Sequence, residues 1–183
     1  PLIGWTPKAR QKDWGFSVAK YGAQTENECT ASGWPDWCIA DAGNGVRAAG
    51  GSVTGNDPLD TSIAVGPSFV TAWMDHLAAQ FGTAGNGGIR WYALDNEPAL
   101  WNSTHRDVHP DPLDADELWS KSHATAAAVK TADPSAAVLG PSDWGWCAYF
   151  YSAADDCGSS HADRDAHGGL PLAAWYLKQF AAA

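Results

Sequence analysis

The chain has 183 residues, a formal net charge of −10 and 45% hydrophobic residues. That is enough for one domain with a real core, and the acidic balance excludes nucleic acid and anionic membrane surfaces, which need a basic partner. Neutral polymers remain compatible, and 11 Trp against one Met call for a cause: platforms that stack on sugar rings, with core filling as the competing reading for each ring.

The first residues, Pro1-Leu2-Ile3-Gly4-Trp5, lie inside an apolar strand-like run, and the last, Trp175 to Ala183, lie inside an amphipathic helix. Both ends read as truncated, so the lack of a signal peptide or membrane span says little. Three strand–loop–helix units can be traced. The first has β-prone pieces at Leu2–Trp5 and Gly15–Tyr21, then an irregular stretch over 22–66 rich in Gly, Asn, Asp and Pro. Loops of that length are usually functional. A helix follows, with Ser68 expected as N-cap, Phe69, Trp73, Leu77 and Phe81 as the core stripe, and Gly82 as the stop.

The second unit begins with a buried strand, Ile89–Asp95. A loop from Pro98 to Pro112 carries Trp101, His105 and His109. Its helix starts at Asp114, with Glu117 completing a capping box. Leu118, Ser122, Thr125, Ala126 and Val129 face inward, and Asp133-Pro134 stops it. The third unit has a strand over Ala136–Gly140, a strand end at Pro141-Ser142-Asp143-Trp144-Gly145-Trp146, and a helix from Pro171 carrying Leu172, Trp175, Tyr176, Gln179 and Phe180. His161, Asp163, Asp165 and His167 read as a charged, solvated loop. Alternating strands and helices predict an α/β fold with a parallel sheet. Three units do not close a (β/α)8 barrel, so residues 1–183 read as part of one. A doubly wound sheet is the other closure, but the G-x-G-x-x-G fingerprint is missing from the first turn.

The four cysteines form two local pairs, Cys29–Cys38 and Cys147–Cys157. As disulfides they imply an exported, extracellular protein and stabilise each loop by ~2 kcal/mol. Free thiols or a four-cysteine zinc site are the alternatives, though neither spacing is the tight pair that zinc favours.

The chemistry centres on Asn96-Glu97-Pro98, where a hydrophobic strand gives way to a loop. Glycosidic cleavage needs one carboxylic acid to protonate the departing oxygen and a second carboxylate as nucleophile or base. The acid must keep its proton, which apolar walls such as Trp91, Tyr92 and Trp101 can arrange. Asn96 can donate to the sugar 2-OH. An idle Glu in an ordinary turn is the competing reading.

Tyr92-Ala93-Leu94-Asp95-Asn96-Glu97-Pro98 and Trp101-Asn102-Ser103-Thr104-His105 strongly resemble glycoside hydrolase family 44, endoglucanases and xyloglucanases. Asn56 to Ser62, Gly15 to Gly22, and Gly140-Pro141 with Trp144-Gly145-Trp146 match in the same order. The resemblance implies a (β/α)8 catalytic barrel with an accompanying β-sandwich and a retaining mechanism on β-1,4-glucans. Glu97 falls on the family's acid/base, and the nucleophile Glu lies beyond residue 183. The inventory agrees: of the four Glu, Glu26 and Glu28 sit in the first long loop and Glu117 caps a helix. Asp143 also follows a strand, as a second carboxylate or, more plainly, a hydrogen bond to loop backbone or sugar.

Trp5, Trp101, Trp144, Trp146 and Tyr149 are the candidate sugar platforms. Lys20, in the Gly15–Gly22 motif, and His105, just after Glu97, join them as substrate-binding candidates. Asp57 and Asp60 are the candidate ligands of a structural calcium, against a plain Asx-turn reading. No organic cofactor is implied. The expected protein is a secreted monomer acting on a β-glucan polysaccharide. A non-catalytic carbohydrate-binding protein is the competing class, and helices at 68–82 and 114–132 argue against it.

Overall fold

The computed structural model describes residues 2–8, 14–31, 38–94 and 96–183. Its strands are β1 (Trp5–Pro7), β2 (Phe16–Ser17), β3 (Ala42–Gly43), β4 (Ser62–Ala64), β5 (Trp91–Ala93) and β6 (Ala137–Leu139). Its α-helices are α1 (Val18–Tyr21), α2 (Pro67–Phe81), α3 (Trp101–Thr104), α4 (Ala115–Ala132), α5 (Ala162–Ala166) and α6 (Leu172–Ala182). Among the described residues no helix is long and apolar enough to cross a membrane. The chain divides into two compact bodies.

The larger body comprises Pro1–Gly4, Val65–Thr104 and Asp111–Ala183. Its centre is a parallel pair, β5 and β6, with Trp91, Tyr92 and Ala93 opposite Ala137, Val138 and Leu139. The crossover between them runs through α4, as a parallel connection requires. Asp114 caps α4 as expected, its carboxylate accepting from the Glu117 N–H at 2.8 Å. Leu118, Ser122, Ala126 and Val129 are buried, and Asp133 ends the helix. Val70, Met74, Tyr92, Val129 and Ala136 form the core where α2, α4 and β5 meet.

Helix α2 departs from expectation by one residue. Gly66 is the N-cap and Pro67 the first helical residue, so Ser68 is inside the helix. Pro is suited to that position, because its missing N–H has no intrahelical partner there. The inward row is Val70 and Met74, both buried, with Leu77 partly buried beside them, while Phe69, Trp73 and Phe81 are exposed. A strict i, i+4, i+8 row drifts by ~40° per step around a helix, so it cannot stay on one face for three turns. Strand β5 is also shorter than the expected strand and buried on one face only. Tyr92 and Leu94 point into the core, Trp91 and Ala93 point out, and Asp95 lies outside the described residues. A cavity of about 540 Å³ opens beside α2 and β5, lined by Leu2, Phe69, Trp73, Leu77, Trp91 and Val129.

The loop expected to be solvated is built instead around Asp155, which is fully buried. Its carboxylate accepts from the backbone N–H groups of Asp163 and Arg164 at 2.9 and 3.0 Å. Asp163 in turn accepts from the Ser152 hydroxyl at 2.5 Å and the Ala115 N–H at 3.0 Å. Buried carboxylates persist when backbone donors satisfy them.

The smaller body comprises Trp5–Ala64 and His105–Pro110. Here β1 pairs antiparallel with β4, and β2 antiparallel with β3. The first of the three expected units is therefore not a strand–helix unit of a parallel sheet. Asn27, Asn44 and Asp57 accept from backbone N–H groups two or three residues on, which folds the stretch into turns rather than strands. The Arg106 guanidinium holds this body together: it donates to the carbonyls of Val53, Asn44 and Gly45 at 2.9, 3.2 and 2.7 Å and stacks on Phe16 at 4.5 Å.

Candidate active site at the ends of the parallel strands

The β5–β6 ladder continues past both strand ends. The Leu94 N–H donates to the Leu139 carbonyl at 2.7 Å, Asn96 bridges Ser142, and the Glu97 N–H donates to the Ser142 carbonyl at 2.7 Å. Gly140 allows the strands to close here. Its φ is +133°, and a Cβ would lie 2.8 Å from the Leu94 Cβ, so any side chain would push the strands apart.

Glu97 itself is left-handed, with φ 49° and ψ 55°. That region costs a non-glycine residue ~1 kcal/mol or more, and such outliers collect at functional sites. Pro98 opens a 3-10 turn directly afterwards, and the Leu100 N–H returns to the Glu97 carbonyl at 2.9 Å. The half-buried Glu97 is thus held by backbone hydrogen bonds from both directions at the carboxyl end of a parallel strand.

Trp101 is not a sugar platform. It is 1% exposed, and a ring with no free face cannot stack on a sugar. Its Nε1–H donates to the Asn96 carbonyl at 3.2 Å, so it supports the Asn96–Glu97 turn from beneath. The Lys121 ammonium lies 5.9 Å from its ring centroid and donates to the Ile3 carbonyl at 2.9 Å. A buried Trp and an exposed one look alike in sequence, so nothing near Trp101 separates a supporting ring from a platform.

Trp144, Trp146 and Tyr149 fit a platform role better, with exposures of 57%, 77% and 51%. They follow β6 and so share the sheet edge from which Glu97 emerges, where α/β proteins bind ligands. Trp146 and Tyr149 lie 5.8 Å apart, centroid to centroid. Both expected disulfides are formed, Cys29–Cys38 and Cys147–Cys157, with Cα separations of 5.2 and 5.4 Å. The second closes the loop that carries Tyr149. Asp143, at the head of the same segment, is half-buried, and loss of hydration lifts its carboxyl to about 6.

Trp5, Lys20, Asp57, Asp60 and His105 belong to the smaller body. Trp5 opens β1 and is half-buried, and His105 is exposed. The Lys20 ammonium donates to both Asp60 carboxylate oxygens at 2.8 and 2.7 Å, and the Tyr21 hydroxyl adds a third bond at 2.5 Å. The Lys20 bond lowers the Asp60 pKa, and the same bond raises that of Lys20. The Asp57 carboxylate caps the turn over Pro58–Asp60 by accepting from the Leu59 N–H at 2.9 Å. Two carboxylates already engaged in this way do not fit a calcium ion, which wants six or more oxygens. Among the described residues no group of three or more His, Cys, Asp or Glu is placed to hold a metal.

Comparison with known proteins extends this geometry. The solved structure of CelM2, a bifunctional glucanase-xylanase from a metagenome library, matches with a TM-score of 0.84 at 44% identity, covering 98% of this chain and 35% of that one. A Paenibacillus polymyxa xyloglucanase of glycoside hydrolase family 44, solved with xyloglucan, matches with a TM-score of 0.52 at 35% identity, covering 60% of this chain and 21% of that one. Endoglucanase A of Paenibacillus lautus is 42% identical over 85 residues, which is 46% of this chain and 12% of that protein. The chain thus spans about a third of the length of CelM2 and less of the others. The model of glycoside hydrolase family 44 matches residues 1–183, and the chain belongs to that family.

Proposed function

We propose that this chain carries the acid/base of a retaining endo-β-1,4-glucanase that hydrolyses cellulose-type glucans or xyloglucan. The observation that supports it most is Glu97: a carboxylate at the carboxyl end of a parallel strand, in left-handed backbone, pinned by the Ser142 carbonyl. In the first step Glu97 gives its proton to the departing glycosidic oxygen as the C1–O bond breaks and a nucleophilic carboxylate bonds to C1. In the second, its carboxylate takes a proton from the water that releases the sugar. The nucleophile Glu is then expected outside residues 1–183, since among the described residues no other Glu follows a parallel strand. Asn96 donates to the sugar 2-OH. Trp144, Trp146 and Tyr149 hold neighbouring rings, with Trp5, Lys20 and His105 as further substrate contacts.

Strands β5 and β6 are then consecutive strands of a (β/α)8 barrel, with α4 as the helix between them. The two disulfides and the polymeric substrate suit a secreted, extracellular enzyme, acting as a monomer. The glucanase, xylanase and xyloglucanase activities of its relatives support this substrate class. Helices α2, α4 and α6 weigh against a purely β-sandwich binding module.

The test is Glu97→Gln in the complete catalytic domain. Turnover of unactivated polysaccharide should fall by at least ~100-fold, the usual contribution of general acid catalysis. Bond cleavage in an aryl glycoside with a good leaving group, which needs no proton, should fall much less. Near wild-type turnover of the polymer refutes the assignment.

A further inference from the structure

The segment that carries the exposed rings after β6 has little of its own to hold it. Among the described residues 144–150 only Ala148 is buried. The backbone hydrogen bonds of the 3-10 turn over Cys147–Tyr149 close on the segment itself. The Tyr149 N–H donates to the Trp146 carbonyl at 3.3 Å, and the Phe150 and Tyr151 N–H groups donate to the Cys147 carbonyl at 2.9 and 3.1 Å. Segments with so few buried apolar contacts open easily. Yet the Trp146 ring packs against Tyr149 at 5.8 Å and against Phe150 at 5.5 Å, centroid to centroid. Cys147 lies between Trp146 and Tyr149 in the chain, and it is bonded to Cys157.

The far end of that bond is firmly held. Cys157 belongs to the turn over Ala153–Gly158, which is built around the buried Asp155. The Asp155 carboxylate accepts from the Asp163 and Arg164 N–H groups, and its carbonyl accepts from the Ser160 N–H at 3.0 Å. The Ala154 N–H donates to the Leu113 carbonyl at 3.0 Å, which ties the turn to the approach of α4. Asp156 and Cys157 are consecutive left-handed residues, with φ 45° and 54°. Non-glycine residues stay in that region only where their surroundings leave no alternative, and they collect at functional sites. Here the left-handed pair brings the Cys157 Cα to 5.4 Å from that of Cys147, within the span a disulfide bridges.

We propose that the Cys147–Cys157 disulfide is a positioning crosslink for substrate, one that sets Trp146 and Tyr149 in place to receive a β-glucan chain. This rests on the reading of those rings as sugar platforms. Rings on a loose turn lose freedom when a sugar chain settles on them, and that loss is subtracted from the binding energy. Rings on a turn bonded to the Asp155 network have lost the freedom beforehand. The crosslink therefore acts on KM through the rings and leaves the chemical step at Glu97 alone. A merely structural disulfide, in contrast, would act the same with or without the rings.

The experiment removes the crosslink from the complete catalytic domain in two backgrounds, with carboxymethylcellulose as substrate. One is wild type and the other is Trp146→Ala/Tyr149→Ala, which lacks both rings. Cys147→Ser/Cys157→Ser should raise KM about three- to tenfold in the wild-type background, the cost of ordering a freed side chain on binding. In the ringless background it should raise KM less than about twofold, and kcat should stay within about twofold in both. An unchanged KM in the wild-type background, an equal rise in both, or a fall in kcat as large as the rise in KM overturns the proposal. If the ringless enzyme itself keeps the wild-type KM, the platform reading fails and takes the crosslink's role with it. Should the double Ser variant not fold, Cys147→Ala/Cys157→Gly is read by the same criteria, since glycine adopts the left-handed backbone at position 157 without strain.

Discussion

Replacing Trp101 with Phe separates a supporting ring from a sugar platform. The indole is 1% exposed and its N–H reaches the Asn96 carbonyl at 3.2 Å. Phe removes that bond, at a cost of about 1 kcal/mol. It also vacates about 40 Å³ beneath the turn, adding about 1 kcal/mol at about 24 cal/mol per Å³ of cavity. A loss of about 2 kcal/mol lowers Tm by about 4–8 °C in a domain of this size. The turn it supports carries Asn96 and Glu97, so kcat should fall while KM for polysaccharide stays within about twofold. Thermal unfolding followed by circular dichroism, with steady-state kinetics on the same variant, reads both quantities. An unchanged Tm with a several-fold rise in KM is what a platform would give, and it refutes the buried-support reasoning.

Two further outcomes follow from backbone and charge. Gly140→Ala places a Cβ 2.8 Å from the Leu94 Cβ on a residue with φ +133°, so it should destabilise by about 2–4 kcal/mol; denaturant unfolding with a midpoint equal to wild type contradicts this. His167 lies 3.1 Å from Asp116 and 3.3 Å from Asp163. Burial opposes its protonation, but the Asp163 carbonyl and the two carboxylates together raise it above 6.5. A raised folded-state value means a stabilisation complete below the unfolded pKa of ~6.5 and lost as pH rises through the folded one. Tm should therefore drop between pH 6 and 8, and His167→Gln should flatten part of that drop; an equal drop in both proteins rules the clamp out.

What could be read from the sequence was local. The Asp114 cap and the buried row of α4 follow from a capping box and a 3.6-residue period, both set within one segment. The two disulfides close loops of ten residues or so, and the place of Glu97 at a strand end is marked by the strand before it and the Pro after it. The misreadings involve partners far along the chain. Whether Trp101 is buried depends on packing that brings it over Lys121, and nothing near Trp101 announces that. The Asp155–Asp163–Ser152 network reads as a solvated charge run because most of its donors are backbone N–H groups, which a sequence does not display. The stretch over 22–66 hid two antiparallel pairings because each strand in it is only two or three residues long.

On the proposed reading of Glu97, its left-handed backbone makes sense in terms of what an acid/base must do twice. In a retaining reaction the same carboxyl protonates a leaving oxygen and then deprotonates a water that arrives where that oxygen stood. A group free to swing would serve one step at the expense of the other. A left-handed residue normally relaxes unless its surroundings leave it no alternative. Here the Ser142 carbonyl fixes its N–H, the 3-10 turn fixes its carbonyl, Pro98 fixes the next φ, and Trp101 holds the preceding peptide. Four constraints from two segments of the chain meet on one residue. If Glu97 is the acid/base and the exposed rings beyond β6 hold the substrate, as proposed, relaxing any one of them should cost more in kcat than in binding.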